Sequence, residues 1–296
     1  MPPTSPFGRT VCAMVTPFTA DGDLDLDGAQ HLADRLVGEG GCDGLVLSGT
    51  TGESPTTGDA EKSALIRAVA EAVGDRARIT AGVGSADTRH TVELARAAEK
   101  AGAHGVLVVT PYYSRPPQED IAEHFRTVAD AVGLPVMLYD IPGRTGTRIE
   151  PATMLRLAEH PRIAGVKDCS YDLLGSSKVI AETGLAYYSG SEELNLPLRA
   201  VGATGYVSTV ANVAGPVLAA ALDAFDRGAT AEATAHHQRV LPLTELMMAA
   251  GLPGTVTAKA LLGALGLPGG PVRAPLRPAD AERTAALLDA YNALSR

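Results

Sequence analysis

Eight short runs of apolar, β-prone residues recur along the chain, and this repetition constrains the fold more than any other feature. Each run is too short to be a helix, and most are apolar throughout, which is typical of strands buried on both faces of a parallel sheet. The predicted strands span residues 11–15, 44–47, 78–81, 105–109, 135–139, 163–167, 186–189 and 205–207.

Stretches rich in alanine, leucine and charge lie between these runs, with apolar residues at helical spacing. Eight strands that alternate with helices predict an α/β fold of the (β/α)8 TIM-barrel type. A doubly wound open sheet is the competing fold, but no GxGxxG motif follows the first strand. After the last strand, a helix predicted over 214–227 completes the barrel, and further helices are predicted over 231–250, 255–265 and 279–293. We therefore divide the chain into a barrel, residues 1–230, and a small C-terminal helical appendage, residues 231–296.

Composition and charge exclude several classes of protein. The formal net charge of −9 argues against a nucleic-acid partner, and no apolar run is long enough to span a membrane. The N-terminal ten residues lack the apolar segment of a secretory signal. Cys12, Cys42 and Cys169 are an odd number at unrelated spacings, which fits neither a disulfide framework nor a zinc site. We expect a cytoplasmic protein without a metal.

Lys167 is the most informative single residue. Four of the five lysines fall in predicted helices, where a solvated ammonium is expected, but Lys167 ends an apolar strand. In a TIM barrel this end of the strand faces the active site. Burial there lowers the pKa of an amine and favours the neutral form that a Schiff-base nucleophile requires. The alternative is a buried ion pair between Lys167 and Asp168 or Glu53.

The Gly-Thr-Thr-Gly segment, residues 49–52, follows the second predicted strand. Its glycines allow close approach of a ligand, and successive amides with two hydroxyls can hold a carboxylate. The alternative is a simple turn. A P-loop is not supported, because the lysine of that motif is missing.

Tyrosines and an arginine follow two other predicted strands. Tyr112, Tyr113 and Tyr139 lie at strand ends, where a phenol can transfer protons or simply complete the core. Tyr112 is assigned to packing or to a subunit contact. Arg144, on a glycine-flanked loop, suits bidentate carboxylate binding, with a plain surface role as the alternative. Cys169 as a thiol nucleophile is a minor alternative, since no histidine base lies near it in sequence.

Five motifs in order resemble the pyruvate-dependent class I aldolases, and within them the 4-hydroxy-tetrahydrodipicolinate synthases, also called dihydrodipicolinate synthases. The similarity extends from about residue 11 to 213. After residue 231 the chain resembles the family only in its helical character. The motifs are GTTGES (49–54), VTPYYSRPP (109–117), LYDIPGRTG (138–146), GVKD (165–168) and YYSGSEELNLP (187–197).

This resemblance implies a lyase that condenses pyruvate with L-aspartate 4-semialdehyde in lysine and diaminopimelate biosynthesis. Lys167 would form the Schiff base with pyruvate and Tyr139 would transfer protons, in a relay completed by Thr51 and Tyr113. Tyr113 would come from the neighbouring subunit of a homotetramer built as a dimer of dimers. No metal or organic cofactor is implied.

The resemblance also implies the substrate-binding residues. The pyruvate carboxylate would lie against Thr50 and the adjacent amides, and the carboxylate of the semialdehyde would bind Arg144. The pyruvate-binding residues so implied are Thr50, Gly49, Gly190 and Val207.

Two alternative functions stay open. The sialic-acid lyase relatives carry leucine where this chain has Arg144 and tend to have serine where it has Thr51, so both positions favour the dipicolinate branch. An aldolase or dehydratase acting on a 2-keto-3-deoxy sugar acid is the first alternative. A catalytically silent barrel used as a ligand sensor or scaffold is the second.

One departure from the family concerns regulation. Some members bind lysine as a feedback inhibitor at a subunit interface. In this chain Lys62 stands where such sites use histidine, and His90 stands where they use glutamate. We therefore expect weak or absent inhibition by lysine.

Overall fold

The computed structural model describes residues 5–249 and 251–294, and in them eight parallel strands close into a barrel. Strands that follow one another in sequence are neighbours, and the last pairs with the first through Val207 and Val11. The (β/α)8 TIM barrel is confirmed. The strands are β1 (Thr10–Ala13), β2 (Gly44–Leu47), β3 (Arg78–Gly82), β4 (Gly105–Val109), β5 (Val136–Asp140), β6 (Ile163–Asp168), β7 (Ala186–Ser189) and β8 (Gly205–Ser208).

Helices surround the barrel and then continue as the C-terminal appendage. They are α1 (Leu26–Gly38), α2 (Asp59–Val73), α3 (Thr88–Lys100), α4 (Gln118–Asp130), α5 (Pro142–Thr145), α6 (Pro151–Leu157), α7 (Leu173–Glu182), α8 (Asn195–Ala200), α9 (Ala211–Asp226), α10 (Thr230–Thr244), α11 (Gly254–Ala264) and α12 (Ala281–Ala293). A π-helical stretch, Glu245–Ala249, continues α10. The helix predicted over 231–250 therefore changes type near its end, and its last residue lies outside the described part.

Two element boundaries differ from the prediction for backbone reasons. Strand β5 begins at Val136 rather than at Pro135, and Val136 donates its N–H to the carbonyl of Arg162 at 2.7 Å. Proline has no N–H to donate to this ladder. Helix α9 begins at Ala211 rather than at residue 214, and it is kinked at Ala214, two residues before Pro216.

The apolar core has two layers. The larger layer lies between the strands and the surrounding helices, and the smaller one fills the barrel interior. Phe7 closes one end of the interior, and Gly165 makes room for its ring, since a Cβ there would lie 2.9 Å from a ring carbon. Tyr139 and Val207 belong to the same interior layer. The barrel is thus a packed core whose open space lies at the other end.

The C-terminal helices pack against the barrel. Helix α10 packs along α9, which contacts β1, and α11 contacts α9 and α12. The division at residue 230 stays a prediction. Among the described residues, no helix is long and apolar enough to cross a membrane.

Candidate active site

The loop after β2 has an unusual backbone on both sides of its Gly-Thr-Thr-Gly segment. Ser48 and Glu53 both adopt left-handed conformations, with φ of 54° and 57°. Such values are strained for residues other than glycine. The turn is held by N–H groups of Glu53 and Ser54, which donate to the carbonyls of Thr50 and Gly49 at 3.3 and 3.2 Å. This geometry fixes which threonine faces the barrel mouth.

Lys167 lies near the end of β6 and is 5% exposed. Its Nζ is 4.2 Å from the centre of the Tyr139 ring. Burial lowers the pKa of Lys167, and the charge of Arg144 adds to this effect, while Cys169 and Glu192 oppose it. The side chain is therefore biased toward the neutral amine that attacks a carbonyl.

The structure contradicts the alternative in which Lys167 forms a buried ion pair. Glu53 pairs instead with Lys259, at 2.6 Å. Asp168 accepts hydrogen bonds from the hydroxyls of Ser176 and Tyr187, at 2.5 and 2.7 Å. Both carboxylates are thus held by other partners, and Lys167 is left with the aromatic face of Tyr139.

The two threonines of the loop have different partners. The Thr50 side chain interacts with the phenol of Tyr139. The hydroxyl of Thr51 shares a 2.8 Å hydrogen bond with that of Thr209, away from Tyr139. Of the two side chains, that of Thr50 is therefore the one that acts on Tyr139. Burial raises the pKa of Tyr139 well above its usual value, and Thr50 and Arg144 act in the opposite direction.

Two of the expected pyruvate-binding residues, Gly190 and Val207, do not line the open cavity. Gly190 packs on Lys167, because a Cβ there would lie 3.0 Å from Cε and even closer to the Cys169 sulfur. Val207 is 1% exposed on β8. These residues shape the floor of the site, and a larger side chain at position 190 would displace Lys167.

A cavity of about 510 Å³ opens above this floor. Gly49, Thr50, Tyr139 and Arg144 line it together with residues of the second and third barrel helices. Arg144 is exposed on α5, and its charge lowers the pKa values of both Lys167 and Tyr139. A cation close to the reacting groups and open to the cavity suits a substrate carboxylate.

The two tyrosines after β4 separate. Tyr112 is 41% exposed and lines the cavity, whereas Tyr113 is 94% exposed and has a left-handed φ of 72°. Tyr113 therefore does not join Lys167 and Tyr139 within one chain. An exposed aromatic side chain held in a strained conformation fits a contact with another subunit.

Two lysines that the sequence assigns to solvent are buried. Lys62 is 7% exposed and donates to the carbonyls of Ser54 and Thr57, and Lys259 is 4% exposed. The expectation of a solvated ammonium is wrong for both. The apolar composition of helix α11, in which Lys259 is the only charged residue, is a signal that could have found it.

Carboxylates form a second layer behind the site. Asp140 is fully buried, and burial, followed by the charge of Asp168, raises its pKa to about 7 against the effect of the Ile149 N–H. Glu192 is also buried, and it accepts hydrogen bonds from Ser208 and the amide of Thr209, both at 2.8 Å. Sequence analysis did not single out either residue.

The described residues contain no cluster of three or more histidine, cysteine or acidic side chains that could hold a metal ion. Burial raises the pKa of Cys169 to about 11, although Lys167 lowers it, so the thiol is a weak nucleophile there. The buried amine of Lys167 remains the strongest nucleophile that the site offers to a carbonyl compound.

Comparisons with known proteins point to one family. A model of the dihydrodipicolinate synthetase family matches residues 6–294. The 4-hydroxy-tetrahydrodipicolinate synthase 1 of Streptomyces coelicolor is 73% identical over 99% of this chain and 95% of its own length. The corresponding synthase of Acidothermus cellulolyticus is 60% identical over 96% of this chain and 91% of its own length.

Solved structures also match. A crystal structure of the dihydrodipicolinate synthase of Cyanidioschyzon merolae with lysine bound is 38% identical to this chain. It superposes with a TM-score of 0.95 over 98% of this chain and 99% of that one. The match therefore includes the C-terminal helices as well as the barrel.

Proposed function

Because the chain belongs to the dihydrodipicolinate synthetase family, we propose that it performs the reaction of its relatives with Lys167 as the covalent nucleophile. The reaction is the lyase-class condensation of pyruvate with L-aspartate 4-semialdehyde to 4-hydroxy-tetrahydrodipicolinate, a step of lysine and diaminopimelate biosynthesis. The observation that supports the assignment is the burial of Lys167 beside Tyr139 at the end of a barrel strand.

The first step joins pyruvate to the enzyme. The neutral amine of Lys167 attacks the keto carbon, water leaves, and an imine remains. The carboxylate of pyruvate lies on the amides and hydroxyls of the loop at Gly49 and Thr50, with Gly190 and Val207 enclosing the methyl end. This placement holds the keto carbon near Lys167 and excludes water.

Proton transfer then produces the nucleophile of the condensation. Loss of a methyl proton converts the imine to an enamine, and its terminal carbon attacks the aldehyde of the second substrate. The amino group of that substrate then attacks the imine carbon, which closes the ring and releases the amine of Lys167. Tyr139 accepts and returns protons through the Thr50 hydroxyl, and Tyr113 of a neighbouring subunit completes the relay.

The second substrate is bound by Arg144. Its guanidinium forms a bidentate pair with the carboxylate, which orients the aldehyde toward the enamine. The scheme needs no metal or organic cofactor, because the Schiff base itself provides the electron sink. It does need an oligomer, since Tyr113 is exposed in the single chain, and we propose a homotetramer built as a dimer of dimers.

Three free, buried cysteines support a reducing, cytoplasmic location as part of the proposal.

Reductive trapping tests the nucleophile. Treatment with borohydride and pyruvate should add one reduced pyruvyl group, and mass spectrometry of peptides should locate it on Lys167. The Lys167→Ala variant should remain unmodified, and Lys178→Ala, which removes an exposed lysine of α7, should be modified like the parent. An adduct on another lysine, or pyruvate binding without any adduct, would exclude the mechanism and favour a silent barrel.

A further inference from the structure

A buried cluster of charged side chains joins the appendage to the loop that bears Thr50. Lys259 of α11 places Nζ 2.6 Å from a carboxylate oxygen of Glu53, and the two side chains are 2% and 1% exposed. The same Nζ donates to the carbonyl of Pro271 at 2.8 Å and lies 4.0 Å above the ring of Phe18. The ammonium is thus enclosed by groups that favour its charge.

Arg273 holds the other oxygen of Glu53. Its backbone N–H donates to Oε2 at 2.8 Å. Its guanidinium donates to the carbonyls of Gly22 and Thr56, at 2.9 and 2.8 Å, and forms an ion pair with Glu61 at 2.6 Å. The carboxylate of Glu53 therefore has a fixed position, set from two separate points of the C-terminal segment.

The position of Glu53 matters because of its place in the chain. It follows Gly52 directly and has a left-handed φ of 57°, which its backbone does not favour by itself. Its N–H donates to the carbonyl of Thr50, and the hydroxyl of Thr255, on α11, donates to that same carbonyl, each at 3.3 Å. A fixed Glu53 side chain thereby fixes the turn that presents Thr50.

We propose that Lys259 and Glu53 are positioning residues that hold the loop of residues 49–53 in the conformation that binds the pyruvate carboxylate. The inference rests on the proposed function. Because the pair is shielded from water and salt, its attraction is little screened, and removal of one partner leaves an uncompensated buried charge. The appendage is then part of the support of the active site.

Lys259→Met tests this role, because methionine fills the space and removes the charge. We expect the KM for pyruvate to rise by about tenfold or more, and the rate of borohydride trapping at low pyruvate to fall in parallel. The KM for aspartate 4-semialdehyde should stay within about twofold, because Arg144 lies on a different loop. Lys178→Met, on the exposed face of α7, is the matched control.

Glu53→Gln is the second variant, chosen because it keeps the side-chain shape, and its one amide oxygen can still accept a hydrogen bond from Lys259 or from the N–H of Arg273, although not from both. It should fold and give a smaller rise in the pyruvate KM, of about threefold. Unchanged KM values in folded variants, or equal rises for both substrates, would overturn the inference. If the parent protein still forms the pyruvyl adduct on Lys167, the proposed function holds, and only the inference about Lys259 and Glu53 fails.

Discussion

At the scale of single residues, the two threonines of the active-site loop show what a sequence motif leaves open. The GTTG segment lies at the cavity, where Gly49 and Thr50 line it, but the expected relay residue, Thr51, bonds to Thr209. Ser48 and Glu53 have left-handed conformations at the two ends of the segment. Such a backbone conformation in non-glycine residues cannot be inferred from composition.

Valine replacements distinguish the two threonines. Thr50→Val removes the hydroxyl next to Tyr139 and should lower kcat by about 100-fold or more, the usual effect of a lost proton-transfer group. Thr51→Val removes only the contact with Thr209 and should change kcat by less than about fivefold. Steady-state kinetics on both variants are the measurement. The reverse order would return the relay role to Thr51.

Arg144 gives a prediction about substrate selection. Arg144→Leu should raise the KM for aspartate 4-semialdehyde by about 10- to 100-fold, since a charge-assisted bidentate pair is lost. The yield of the pyruvyl adduct at saturating pyruvate should stay close to that of the parent. Comparison with 2-keto-3-deoxy sugar acids provides the control. Faster turnover of those acids by the parent enzyme would favour the alternative aldolase function.

Asp140 gives a prediction about pH. Its folded pKa of about 7 exceeds the value for an unfolded chain, so the folded protein holds an extra proton between about pH 4 and pH 7. The contribution of Asp140 to the free energy of unfolding is therefore fully present below about pH 4, and it is lost as the pH rises through 7. Oδ2 has no hydrogen-bond partner among the described residues.

Asp140→Asn should therefore stabilise the protein by about 2 to 4 kcal/mol at pH 8, with a gain that shrinks toward pH 4. Urea unfolding at the two pH values measures this difference. Asp75→Asn, at a residue whose side chain is 84% exposed, is the control and should change stability by less than about 0.5 kcal/mol. A gain that is independent of pH would contradict the assignment.

At the scale of elements, the strands were the most predictable part of the molecule. Strands β2, β4 and β7 have the predicted bounds, and the other five differ by one or two residues at an end, because an apolar run flanked by turn residues marks a buried strand closely. The short helix α5, which places Arg144, was not predicted. Four residues contain too little periodicity to indicate a helix.

Buried charges were the least predictable feature of the helices. Lys167 was identified because it ends an apolar strand, whereas Lys62 and Lys259 lie on helices where a charged residue normally faces solvent. Their burial depends on tertiary partners, such as Glu53 and the carbonyls of Ser54 and Thr57, that lie far away in sequence or on a loop. No local pattern contains that information for Lys62, whereas for Lys259 the apolar composition of α11 is a local signal.

Helices α2 and α3 lead to a prediction about inhibition. Lys62 directs its ammonium at the Ser54 and Thr57 carbonyls, and His90 bonds to Asp59 at 2.9 Å. A lysine ligand in this end of the cavity would meet a like charge at Lys62 and a ring instead of a carboxylate at His90. We expect initial rates to change by less than about twofold at millimolar lysine.

The double variant Lys62→His with His90→Glu provides the converse test. It removes the like charge and supplies a carboxylate for the amino group of the ligand, so inhibition by lysine should strengthen. Rates measured over a lysine titration would show this directly. Strong inhibition of the parent by sub-millimolar lysine would show that the expectation is wrong.

At the scale of the whole molecule, the exposed Tyr113 makes activity a property of the oligomer. Tyr113→Phe alone should lower kcat by about 100-fold, because the relay loses a phenol. Mixed with Lys167→Ala subunits and allowed to exchange, it should regain part of the activity, since one site of a mixed dimer receives both intact residues. Enzyme assays after exchange, with sedimentation to follow assembly, test this.

Controls for this experiment come from the variants themselves. Each variant taken through the same exchange alone should show no recovery of activity. Two results would contradict the proposal that Tyr113 of one subunit completes the active site of its neighbour. One is a monomer that is as active as the oligomer, and the other is a mixed dimer, identified by sedimentation, that recovers no activity. The oligomeric state could not be read from the sequence without the family resemblance, because one exposed tyrosine does not indicate its partner.

The closure of the barrel between β1 and β8 also governs how the protein is made. Val11 pairs with Val207, so this side of the first strand to leave the ribosome stays unpaired until the eighth and last strand of the barrel has been made. At about 5 to 20 residues per second, synthesis of the intervening chain takes about 10 to 40 seconds. During that time the nascent sheet has an open edge that another chain could join. We expect a chaperone that covers this edge during translation to reduce such pairing until the eighth strand emerges.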